Sequence, residues 1–151
     1  MPIVIRSEKI SLSSEKKTEE LANQLFKKIK PGNIIFLYGE MGVGKTTFVR
    51  YLINKFQEFN NVKKTEVTSP TFNLLNEYQL KKIKINHYDL FRIKSIKEIK
   101  NLGLFENNNS SITLIEWPEI IEKKPKNLIE LFFEYENDHL SRSVQIKSLN
   151  F

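Results

Sequence analysis

One eight-residue stretch, G-E-M-G-V-G-K-T at 39–46, constrains this chain more than any other. It fits G-x-x-x-x-G-K-[ST] at every specified position, and at ordinary residue frequencies a chain of this length shows that pattern by chance about half a per cent of the time. Three of the chain's five glycines fall within six positions of it. The run before it, I-I-F-L-Y at 34–38, is continuously apolar, as expected of a short strand buried on both faces. After it, Thr46 to about Phe59 reads as a helix with Phe48, Leu52, Phe56 and Phe59 on one face. Strand, glycine turn, helix opens a βαβ-type arrangement, so the expected class is α/β.

The spacing has a chemical reason. Gly39, Gly42 and Gly44 let the backbone curl until successive N–H groups point inward, making an anion nest at the positive end of the helix dipole. Lys45 then supplies a full charge to the β- and γ-phosphates of a nucleotide, and Thr46 a hydroxyl to Mg²⁺. A nucleoside triphosphate is the expected ligand. Guanine-specific loops carry N-K-x-D, whereas the N-K here, Asn54-Lys55, lacks the aspartate and D-x-x-G is missing, so adenine is expected by default.

Around this centre the chain reads as follows. I-V-I at 3–5 is a candidate edge strand, and Ser13 or Ser14 an N-cap for a helix carrying Leu21, Ala22, Leu25, Phe26 and Ile29. Lys27, Lys28 and Lys30 suit that helix's C-terminal dipole, and Pro31-Gly32 stops it. Residues 71–80 and 82–88 read as two strands joined as a hairpin at Lys81 and Lys82. Ser95 to Leu102 is a short helix ended by Gly103, 106–111 a loop, I-T-L-I at 112–115 a strand, and 128–135 and 143–147 two more strands.

At 151 residues the length fits one domain, able to bury roughly 70% of its unfolded surface. With no cysteines, disulfides and thiolate metal sites are excluded. No run approaches a membrane span and the start lacks a signal-peptide pattern, so a soluble cytoplasmic protein without membrane or DNA partners is expected. The net charge of +6 is almost all lysine and predicts only weak attraction to polyanions.

A cradle alone binds; hydrolysis needs a second metal-side carboxylate and a group to position water. Glu116, in T-L-I-E-W-P, ends a predicted buried strand, where such sheets open toward the phosphates; the alternative is a plain strand exit. His87 and Asp89 lie two apart, so an extended backbone points both to one face; the alternative is a surface histidine and a turn-capping aspartate. Thr68, Ser69 and Thr71 line a segment able to sense a γ-phosphate, or form a polar turn, with Pro70 biasing Ser69 to an extended backbone.

Five stretches, G-E-M-G-V-G-K-T-T-F-V-R, S-P-T-F-N-L-L-N-E-Y, H-Y-D-L-F-R, L-G-L-F-E and L-I-E-W-P-E, occur in this order and together resemble the TsaE (YjeE) family from Gly39 to Glu119. The resemblance implies a small P-loop ATPase that helps bacteria make threonylcarbamoyladenosine at position 37 of ANN-decoding tRNAs. It implies partners TsaD and TsaB, tRNA met through that complex, and ATP hydrolysis that resets the complex between turnovers. The implied fold is a three-layer P-loop NTPase sandwich over 1–151, with a mixed, mostly parallel central sheet, helices on both faces and an antiparallel hairpin portion. The implied ATP contacts are Gly39, Glu40, Met41, Gly42, Val43, Gly44, Lys45, Thr46, Thr47 and Trp117, with Thr46 and Glu116 on Mg²⁺. Asp89 would order or activate water in a segment resembling switch II, with Lys45 stabilising transferred charge and Glu116 completing the catalytic set; residues 69–72 would resemble switch I. Tyr88 and Phe91 exchange ring types, and Asn73 replaces a threonine, relative to the family's more usual H-F-D-L-Y-R and S-P-T-F-T. Two other readings stand beside this one: a small-molecule kinase, disfavoured by scarce arginine, and an RNA-binding module stabilised by ATP.

Overall fold

The computed structural model describes residues 4–6, 8–106, 108–137 and 140–149. Their order is β1 (Val4–Arg6), β2 (Ile10–Ser11), α1 (Glu15–Phe26), β3 (Ile34–Tyr38), α2 (Lys45–Phe59), β4 (Leu75–Gln79) and β5 (Lys84–Asp89). Then come α3 (Ile96–Leu102), β6 (Ser111–Glu116), β7 (Leu128–Tyr135) and β8 (Arg142–Leu149), with 3₁₀ turns at Asn108–Ser110 and Pro118–Ile120. The strands form one eight-stranded sheet in the order β1-β8-β7-β3-β6-β5-β4, with β2 also paired to β8. Its four central strands, β7, β3, β6 and β5, run parallel. Antiparallel strands flank them on both sides: β8 with β1 and β2 on one, β4 in its hairpin with β5 on the other.

β3 is the axis of the core. Ile35 and Leu37 face α1 and α2, Ile34 and Phe36 face the opposite layer, and all four are at most 1% exposed. That two-sided burial is why the run 34–38 is apolar without alternation. On the first face α1 packs Leu21, Ala22 and Leu25, and α2 packs Phe48, Val49, Leu52 and Ile53. Burying each large side chain contributes about 1.5–3 kcal/mol. The second face is thinner: α3 buries no residue fully, and Ile99 and Leu102 lean on a cluster of Tyr88, Leu90, Leu104 and Ile115.

Local signals set most boundaries. Ser14 caps α1 through its Oγ, which accepts from Lys17 N–H, and Ser95 caps α3 in the same way toward Glu98 N–H. Gly103 ends α3 at φ 59°. The hairpin turns at Lys81 and Lys82, closed by Leu80 N–H donating to Ile83 O at 2.9 Å.

Three expectations needed correction, and one strand was not anticipated. α1 stops at Phe26, so Ile29, Lys27, Lys28 and Lys30 follow the helix, and Ile29 is buried from the turn beyond it. Phe59 is 72% exposed because it ends α2, where its ring meets that of Phe26 edge to face, at 5.4 Å between centroids. β4 begins at Leu75, not Thr71: Leu74 adopts φ 66° and its N–H donates to Pro70 O, closing a turn over 70–74. β2, two residues long, is too short to leave a periodic signal. Of the predicted opening strand, Ile3 lies outside the described residues, as does Asn107 of the predicted loop.

Candidate phosphate-binding site

The parallel register brings three strand ends together. Glu116 pairs across from Leu37 on β3 and from Asp89 on β5, so both carboxylates finish beside the turn that follows Tyr38. That turn's root is fixed: Tyr38 stacks on Phe132 at 4.5 Å and its hydroxyl donates to Glu130 Oε2 at 2.6 Å.

Two glycines are required by space and backbone. A Cβ on Gly39 would stand 2.8 Å from both Phe133 O and Val43 Cγ1, so the chain passes too close for any side chain. Gly44 enters α2 at φ 114° and no side chain caps the helix there, leaving its first amides without a capping acceptor. Those amides lie where the dipole favours an anion.

Lys45, 4% exposed, donates from Nζ to Gly39 O at 2.5 Å and lies 3.8 Å from the centroid of the Trp117 ring. Burial pushes its ammonium below the usual lysine value of 10.5, and Glu116, then Glu119 and Asp89, oppose that shift. Trp117 reaches it because its backbone takes φ 57°, a left-handed conformation that turns the chain at the end of β6. Phe91 packs on the indole at 4.9 Å.

Glu116, 2% exposed, accepts from Thr46 Oγ1 at 3.2 and 3.3 Å, and its Oε2 lies 2.7 Å from His87 Nε2. The Asp89 carboxylate is fully engaged: Oδ2 accepts from the Ser69 and Thr71 hydroxyls and Oδ1 from Phe91 N–H at 2.9 Å. Lys45, Thr46, Ser69, Thr71, Asp89, Glu116 and Trp117 surround a cavity of about 350 Å³, with His87 behind Glu116 and outside its lining. Among the described residues no three His, Asp or Glu side chains gather as a metal site. The Thr46 hydroxyl and Glu116 carboxylate are instead a sparse, hard-oxygen donor pair, the type Mg²⁺ uses when phosphate and water complete its shell.

Of the residues expected here, Met41, Gly42, Gly44, Lys45, Thr46 and Thr47 line the cavity with Asp89, Glu116 and Trp117. Glu40 is exposed and Val43 fully buried in the core, and neither they nor Gly39 line it, although the Gly39 carbonyl holds the Lys45 ammonium that does. Ser69 and Thr71 join it, whereas Thr68 lines a separate groove beside β4. Two lining residues were not anticipated, Phe91 and Arg142. Arg142 starts β8; its guanidinium lies 5.7 Å from the Tyr135 ring centroid, and among the described residues its buried Nε has no hydrogen-bond partner. Its rarity was the available signal, because it is one of only four arginines, with Arg6, Arg50 and Arg92.

A parallel strand, a glycine turn, a helix and an acid from the adjacent strand define an α/β protein of the P-loop NTPase-like fold. The solved Bacillus subtilis YdiB has that architecture, with a TM-score of 0.68 and 21% identity over 99% of this chain and 88% of its own. In sequence, the family described as Threonylcarbamoyl adenosine biosynthesis protein TsaE matches residues 12–144. Proteins named tRNA threonylcarbamoyladenosine biosynthesis protein TsaE are similar to this chain in several bacteria. The Rickettsia bellii protein is 46% identical over 80% of this chain and 81% of its own, and the Nostoc protein 33% identical over 94% and 86%. The Rickettsia conorii protein is 46% identical over 74% of this chain, a match that spans 62% of its own length. The chain belongs to the TsaE family.

Proposed function

We propose that this protein binds ATP with Mg²⁺ at the 39–46 turn and hydrolyses it in support of threonylcarbamoyladenosine formation at position 37 of ANN-decoding tRNAs, acting with TsaD and TsaB. The observation that carries the site reading is the meeting of Thr46 and Glu116 directly below the glycine turn. Family membership supports this pathway over a small-molecule kinase or an RNA-binding module.

The roles follow from the contacts. Amides at the start of α2 and the Lys45 ammonium hold the phosphates; Lys45 exchanges Gly39 O for a phosphate oxygen. Thr46 and Glu116 hold the divalent cation, which when bound neutralises charge developing on the phosphates. Asp89 restrains Ser69 and Thr71 over the cavity. A γ-phosphate competes for those hydroxyls, and the carboxylate so released turns to the attacking water. A second cavity of about 190 Å³ shares Gly44, Thr47 and Arg142 with the first and gives the nucleoside an exit from the cradle.

Reconstitution tests the reading. Modification of an ANN-decoding tRNA by TsaD and TsaB, supplied with the threonylcarbamoyl donor, should continue over many turnovers only when this protein and hydrolysable ATP are present. Multiple-turnover modification that is unchanged when the protein is left out, or when Lys45→Ala replaces it, would remove it from the reaction.

A further inference from the structure

His87 is fully buried on β5, on the sheet face that carries Ile85 and Leu114. It pairs across from Leu114, so Glu116, two residues further along β6, projects on the same face and meets it diagonally. Its Nε2 lies 2.7 Å from Glu116 Oε2, while Nδ1 is buried and, among the described residues, without a hydrogen-bond partner. A proton on Nδ1 would be a buried donor with nothing to accept it. The proton therefore belongs on Nε2, which donates to the carboxylate. The imidazole leaves one nitrogen desolvated and unpaired, a cost offset by the donor it supplies to the buried Glu116 carboxylate.

We propose that His87 is a positioning residue for Glu116: its Nε2–H occupies one side of Oε2 and fixes the carboxylate so that its remaining lone pairs face Thr46 and a divalent cation. The inference rests on the reading of Thr46 and Glu116 as the cation's protein-side donors. The two donors that hold Glu116 differ in kind. Thr46 lies in the first turn of α2 and lines the cavity, so a cation draws on the same oxygen that now donates to Glu116. His87 is held by the sheet and does not line the cavity, so its donation persists when the site fills. Loss of such an outer partner should weaken cation binding without touching the phosphate cradle.

The test compares ATP binding, followed by Trp117 fluorescence, across a Mg²⁺ series and in EDTA, for the parent, His87→Ala and His87→Gln, with ligand-free melting as the control for folding. His87→Ala should raise the half-saturating Mg²⁺ roughly 10- to 100-fold and leave ATP binding in EDTA unchanged. His87→Gln, whose amide carries a donor at a similar reach, should recover most of the loss. A folded His87→Ala with parental Mg²⁺ dependence overturns the inference, as does a glutamine variant no better than alanine. If neither variant folds, ¹⁵N NMR of the His139→Asn protein, which keeps His87 as its one histidine, decides it: a proton on Nε2 is expected, and one on Nδ1 overturns it. Failure of the parent to bind ATP at all would instead bring down the functional reading on which the inference stands.

Discussion

Across the cavity from the glycine turn, the 69–74 segment is held by quite different means. The glycine wall is anchored in the core: Gly39 passes against Phe133 O, Val43 and Phe48 are fully buried, and Tyr38 is fixed by Glu130 and Phe132. The facing wall is a backbone-closed turn whose hydroxyls are tied to one side chain. Asp89 holds Ser69, Thr71 and Phe91 N–H, while Phe72 at its tip is 84% exposed and Phe91 48%. A wall built from backbone and core does not reorganise when ligand arrives, whereas one tied by hydroxyls can change partners at little cost. Under the proposed function, binding therefore falls to the first wall and turnover to the second.

The largest expected effect lies on the second wall. Asp89→Ala should leave ATP affinity near parental and lower hydrolysis in the presence of TsaD and TsaB by roughly 100- to 10,000-fold. Equal losses in affinity and turnover would break the division of labour. On the first wall Lys45→Ala should weaken ATP binding by about 10- to 150-fold, as expected when a charge-assisted hydrogen bond is lost, in a titration followed by Trp117 fluorescence. Gly39→Ala should cost about 1–3 kcal/mol in a denaturant melt, because the added Cβ meets backbone that cannot move aside. Ser69→Ala, by contrast, should cost about 1 kcal/mol or less and speed proteolysis at the 69–74 turn.

The smallest effect is a slope with pH. Lys45 of the free protein titrates below 10.5, so ATP affinity in EDTA should begin to fall before that pH is reached, as the ammonium is lost. The same depression means the unfolded chain binds more protons between the two values, so ligand-free stability gains a contribution as pH rises through that window. Lys45→Met should abolish the first slope and remove this contribution from the second.

The difference between the walls also explains what could be read from the sequence. The first wall is local: I-I-F-L-Y, the glycines, Lys45 and Thr46 are contiguous, and each residue type follows from a backbone or charge requirement at its own position. Ser14, Ser95 and Gly103 were legible for the same reason. The second wall is assembled by strand order, which no stretch of sequence states. That β5 lies beside β6 in register is what sets His87 and Asp89 against Glu116 and its neighbours. The hydroxyls of Ser69 and Thr71 and the carboxylate of Asp89 were each visible as candidates, but not that the two hydroxyls donate to that carboxylate, and Leu74 at φ 66° gave no compositional warning of a turn. Arg142 reaches the cavity from the opposite flank of the sheet, almost 100 residues after the glycine turn, the longest such separation at the site and the one least open to local reasoning.

The most direct test of the central claim is a thermal melt and Trp117 emission spectrum of the parent protein with and without Mg²⁺ and ATP, beside Glu116→Gln. Saturation at a hundred times the dissociation constant should add about 2.7 kcal/mol, which for a chain of this size raises the melting temperature by about 5 to 10 degrees, with a change in emission. Glu116→Gln should keep the response to ATP in EDTA and lose the additional rise that Mg²⁺ brings. A parent that shows neither shift, or a glutamine variant that gains as much from Mg²⁺ as the parent, would contradict the assignment of triphosphate and cation to this turn and this acid.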